Sequence, residues 1–125
     1  IVWIFNIMKF SFQKWLKSLH YAISGISYAA SQQNFSLMIL LGIGVIILGG
    51  ILKISATEWL ILILTIGIVL SLEVLNTVWE KTLDFLSDDI SENIGHIKDM
   101  VAGAVLIACL VAIIIGLIIF LPKLI

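Results

Sequence analysis

Charge is scarce in this chain: of 125 residues, 12% are charged against 62% hydrophobic, and the formal net charge is -1. So few polar groups cannot cover a water-soluble globule of this size, and a mean hydropathy of +1.22 assigns the chain to a bilayer. The lysines are dispersed, which leaves no basic stripe for a phosphate backbone and excludes nucleic acid as an expected partner. Cysteine is reduced to Cys109, inside an apolar run. It excludes an intramolecular disulfide and reads as a small hydrophobe, and no Cys/His spacing resembles a zinc site. The basic start of a secretory signal is missing too, since the stretch from Ile1 to Ile7 has no basic residue and no small-residue cleavage site follows. Met8 is a candidate native start.

Long apolar runs are what the chain has in abundance. From Phe35 to Leu52 no charge occurs, which predicts a first transmembrane helix over 35–52. Gly42, Gly44, Gly49 and Gly50 in it suit close helix contact. A polar turn, Lys53 to Glu58, leads into a second span, 59–79, that carries one charge, Glu73. A polar segment, 80–99, is expected as a loop and helix ends. The third span covers 100–121, with Pro122 and Lys123 closing it at the far interface. Ahead of the spans, residues 9–30 place Phe12, Trp15, Leu16, Leu19, Ile23 and Ile26 at helical spacing among Lys14, Lys17, Ser18 and Ser24. That pattern predicts an amphipathic helix on the membrane surface, with Trp15 and Tyr21 in the headgroup zone. The fold class is therefore all-α: one surface helix and three transmembrane helices in a single membrane domain, 1–125.

Lysine counting orients the chain. Lys9, Lys14, Lys17, Lys81 and Lys98 fall on one side of the membrane and Lys53 and Lys123 on the other. The lysine-rich side, with the N-terminus, is expected to be cytoplasmic, in the cell's cytoplasmic (inner) membrane. Most of the acidic residues share that side.

Glu73, Asn76 and Glu80 stand at i, i+3 and i+7 of a helix, and Asp84 extends the stripe at i+11. Glu73 and Glu80 are about 10 Å apart along the axis, and Glu73 lies roughly 20 Å from Trp59, just inside the cytoplasmic edge of a hydrocarbon core about 30 Å thick. An ionisable group at that depth costs at least about 2 kcal/mol unless it is paired, hydrated or protonated, so it marks a functional site. Lys98-Asp99 opens the expected third span, where free backbone N–H groups and the helix dipole favour an anion. Phosphoryl transfer needs a base, a divalent metal and donors for the nucleotide, and Glu73, Glu80 and Lys98 offer one candidate for each. A proton-carrying proteolipid would also place one carboxylate in the membrane, but it would leave Glu80 and Lys98-Asp99 without a task.

The run Glu73-Val-Leu-Asn76-Thr-Val-Trp-Glu80-Lys-Thr-Leu-Asp84, followed by Lys98-Asp99-Met-Val-Ala-Gly-Ala-Val105, resembles the signature of the prokaryotic diacylglycerol kinase and undecaprenol kinase family, spacing included. Tyr21-Ala-Ile-Ser-Gly25-Ile, Asn34-Phe35, Glu58-Trp59 and the ending Gly116-Leu-Ile-Ile-Phe-Leu-Pro-Lys123 carry the similarity along most of the chain and bring it closer to the Gram-positive undecaprenol kinase branch. The resemblance implies a homotrimer that uses ATP and Mg²⁺ to phosphorylate a lipid alcohol at the cytoplasmic interface, undecaprenol first and diacylglycerol next. It implies Glu73 as general base and Glu80 as a Mg²⁺ ligand, with Asn76, Glu80, Asp84, Lys98, Asp99, Lys14 and Tyr21 around the nucleotide. Gln32 stands at a family metal position that is usually acidic, Ser36 where a basic residue is usual, Asp89-Ile90-Ser91 in place of a Tyr-His pair, and Trp79 where a smaller aliphatic is common. These departures frame an alternative, a paralogue of weakened catalysis that serves as a membrane interaction subunit.

Overall fold

In the computed structural model, which describes residues 1–7, 9–86 and 92–125, five helices follow one another: α1 (Val2–Ile7), α2 (Phe12–Ala30), α3 (Gln33–Ile51), α4 (Ala56–Leu86) and α5 (Glu92–Leu124). α3, α4 and α5 are each long and apolar enough to cross a membrane. The chain is thus an all-helical membrane protein with an N-terminal amphipathic helix.

Local chemistry accounts for the helix boundaries. Ser11 caps α2, its hydroxyl accepting the Lys14 N–H at 3.4 Å. α3 ends in a Schellman turn. The Ile54 N–H reaches back to the Gly49 carbonyl at 3.2 Å, and Lys53 takes the left-handed conformation, φ 52°, that such a turn demands. α4 begins with a capping box in which the Ser55 hydroxyl accepts the Glu58 N–H at 3.2 Å and donates to Glu58 Oε1 at 3.1 Å.

The polar stretch after Trp79 is helical as far as Leu86, and helix resumes at Glu92, eight residues before the apolar run that starts at Met100. Pro122 does not end α5. It lies in the last turn, and the helix continues past it to Leu124. Of the α3 glycines, Gly49 is the one pressed by side chains, since a Cβ there would lie 3.0 Å from Trp59 Cη2, whereas Gly44 and Gly50 have nothing within 4 Å.

α4 and α5 form an antiparallel hairpin, and α3 packs on it. Ile54, Leu62, Ile119 and Phe120 make the buried cluster, with Trp59 and Leu48 against it. An ion pair closes each end of the hairpin: Lys123–Glu58 at 3.2 Å, and Lys98–Asp84. The paired residues are 26 positions apart on α4 and 25 on α5, so both pairs suit one register about 38 Å long, enough to bracket a hydrocarbon core of roughly 30 Å. α2 meets α4 through the buried Ala29, leaving a groove of about 410 Å³ between them.

Candidate active site

α4 carries the polar stripe, and its depth in the fold varies along it. Glu73 is 3% exposed and Asn76 4%, whereas Glu80 and Asp84 are exposed beyond them. The stripe therefore runs from the packed interior out to the end of the hairpin. Thr77, also buried, returns its hydroxyl to the Glu73 carbonyl at 3.1 Å and so asks nothing of its surroundings.

Polar partners gather around the buried carboxyl. The Asn34 side chain, in the first turn of α3, faces Glu73. Asn76 Nδ2 donates to Glu80 Oε1 at 3.3 Å, which orients the amide and leaves Asn76 Oδ1 buried without a hydrogen-bond partner among the described residues. A buried carbonyl oxygen in that state is a free acceptor, and leaving it unfilled costs about 1–3 kcal/mol. Beyond Glu80, Asp84 pairs with Lys98 across the hairpin.

Lys98 and Asp99 do not open a helix. α5 starts at Glu92, so their backbone N–H groups lie more than a turn inside and are used by the helix itself. The dipole-and-amide anion site expected there is absent, and Lys98 has only its ammonium to offer. Asp99 is exposed on the next position of the same helix.

The remaining candidates lie on elements other than α4. Gln32 precedes α3, and its amide donates to Ser31 Oγ at 3.1 Å. Lys14 and Tyr21 are on the exposed surface of α2, where the Tyr21 ring lies 6.2 Å from that of His20. The segment Asp89-Ile90-Ser91 and Met8 lie outside the described residues.

The model of the family described as prokaryotic diacylglycerol kinase matches residues 20–120. The undecaprenol kinase of Bacillus subtilis (strain 168) is 39% identical over 112 residues, 89% of this chain and 91% of that protein. This chain belongs to the prokaryotic diacylglycerol kinase family. A diacylglycerol kinase of Synechocystis sp. is likewise 39% identical, over 111 residues that cover 87% of this chain but 63% of the cyanobacterial protein. Membership makes the chain an enzyme, a lipid kinase of the membrane.

A kinase of this family implies a nucleotide and a divalent metal, and the donor set can be tested against them. Among the described residues no three His, Cys, Asp or Glu side chains converge into a metal cage. Mg²⁺ needs none, because it keeps waters and phosphate oxygens and takes one or two protein carboxylates. Glu80, with the free Asn76 carbonyl oxygen beside it, suits that demand. Asn34 is the residue that the stripe reasoning missed. Its signal was present, an amide at the membrane edge of a span whose next eighteen residues carry no charge, but nothing in one dimension connects it to Glu73.

Proposed function

We propose that the chain transfers the γ-phosphoryl group of ATP to a membrane lipid alcohol, undecaprenol before diacylglycerol, at the cytoplasmic face. The observation that carries this reading is Glu73, a carboxyl 3% exposed near the membrane edge, on the same helix as the Asn76–Glu80 pair and faced by Asn34. In this reading Glu73 accepts the proton of the lipid hydroxyl as its oxygen attacks, and the products are the lipid phosphate and ADP. Asn34 and Asn76 hold the polar end of the site. Mg²⁺, when bound, neutralises charge on the phosphates. Glu80 would be its ligand, with Gln32 as a neutral second donor, and Asn76, Lys98, Asp99, Lys14 and Tyr21 line the nucleotide site, with Asp84 behind Lys98. The groove beside α4 supports a lipid acceptor, since Ala22, Gly25 and Ile26 of α2 face Val74 and Thr77, the neighbours of Glu73.

Two further parts of the reading rest on other grounds. The excess of lysines at the stripe's end favours the cytoplasmic side for it and for the N-terminus. A homotrimer is favoured because three spans, little buried within one chain, do not enclose a polar site away from lipid, so neighbouring copies would complete its walls.

The test is Glu73→Gln, which keeps shape and removes the base. Phosphate transfer is expected to fall at least about 100-fold, the usual scale for a general base, with binding of a nonhydrolysable Mg-ATP analogue retained. Unchanged transfer would remove Glu73 from the role. The competing reading, a membrane interaction subunit of weakened catalysis, draws on Gln32, whose neutral amide is engaged by Ser31. Robust turnover by the wild type eliminates it.

A further inference from the structure

The two ion pairs that close the α4–α5 hairpin differ in character. Lys123–Glu58 is the more closed, its side chains 30% and 27% exposed, and Ser55 adds a hydrogen bond to the same carboxylate oxygen. Lys98–Asp84 is open on the carboxylate side, 35% for Lys98 and 62% for Asp84. A pair of the first kind holds two helices together. In the second the carboxylate is the open partner, and the Lys98 side chain, itself 35% exposed, keeps some surface toward an incoming anion.

We propose that Asp84 is a positioning residue for Lys98: it holds the ammonium at the outer end of the polar stripe, one turn beyond Glu80, where the nucleotide's phosphates arrive. This deepens the kinase reading and rests on it. Lys98 lies inside α5, so its backbone contributes nothing to an anion and the whole contribution depends on where Nζ sits. Lysine is a point charge on a flexible four-carbon stem, and an unheld ammonium would spread over many rotamers. Asp84 supplies the restraint from the opposite helix, at i+4 from Glu80. On this account Asp84 touches neither nucleotide nor metal, and all of its influence passes through Lys98.

The test is a double-mutant cycle on the full chain in detergent, read by equilibrium dialysis of Mg²⁺ with a nonhydrolysable ATP analogue and by KM and kcat for ATP. Lys98→Met is expected to weaken analogue binding. Asp84→Asn is expected to weaken it about three- to fivefold, the scale of a partly exposed ion pair, with KM raised and kcat little changed. Asp84→Glu is expected to restore most of the loss. In the Lys98→Met background Asp84→Asn is expected to change nothing further. If Asp84→Asn still weakens binding there, Asp84 contacts the nucleotide or metal directly and the proposal fails. Unchanged or tighter binding in the single variant overturns it as well, the latter because Asp84 would then be withholding Lys98. If instead Lys98→Met leaves binding intact, it is the underlying assignment of Lys98 that fails. Helix content by circular dichroism and recovery by Asp84→Glu separate these outcomes from misfolding.

Discussion

Glu73 and Asn76 show how a membrane kinase can keep polar chemistry inside an apolar fold. Each is buried, and each meets another polar side chain, Asn34 for Glu73 and Glu80 for Asn76. Asn34→Leu would remove an amide from the carboxyl and is expected to lower kcat by about tenfold while leaving the fold intact, checked by phosphate transfer alongside helix content. Two positions away from the stripe are expected to affect stability alone. A methyl at Gly49 would press on Trp59 Cη2 at 3.0 Å and Cζ2 at 3.2 Å, and a half-buried indole packed against the core yields less readily than a flexible chain end. Gly49→Ala is therefore expected to cost about 1–3 kcal/mol, read as a fall in the thermal midpoint. Lys53, at φ 52°, occupies a conformation suited to glycine, so Lys53→Gly is expected to raise stability by about 1 kcal/mol.

At the scale of elements, the three long helices were readable because apolar runs of this length have one solution in a bilayer. Their ends were not. Hydropathy falls at Trp79 and recovers at Met100, but helix needs backbone bonding and not apolarity, so α4 continues to Leu86 and α5 begins at Glu92. That difference moved Lys98 and Asp99 from a helix start to a helix interior and changed what they can bind with. The stripe on α4 was legible because its members share one helix at fixed spacing. Contacts between helices, Asn34 with Glu73 and the pairs Lys98–Asp84 and Lys123–Glu58, were not, because spacing along one helix says nothing about its neighbour. Ser36 is a related case. Its hydroxyl donates to the Ala30 carbonyl at 2.5 Å and ties the α2–α3 corner, a local role invisible in the alignment of residue types. Ser36→Ala is expected to loosen that corner, measurable as faster amide exchange at the start of α3.

Taken as a whole molecule, one chain leaves most of its apolar surface uncovered: no more than 17% of the core window of any span is buried within the chain. Lipid can cover Leu60, Leu64 and Ile68, all exposed on α4, but it cannot wall off a polar site carried by three helices. A neighbouring copy can. Native mass spectrometry from detergent is expected to show three copies, and mixed trimers of Glu73→Gln and Gln32→Ala chains to regain transfer that neither variant has alone, if sites are shared between protomers. The identity of the lipid rests on similarity and on a groove whose walls are mostly apolar side chains. The most direct measurement is transfer of labelled phosphate from Mg-ATP to undecaprenol and to diacylglycerol, run in parallel with the purified wild type in nanodiscs. Labelled undecaprenyl phosphate formed faster than phosphatidate is the expected result. A folded protein that binds Mg-ATP yet labels neither lipid would contradict the account.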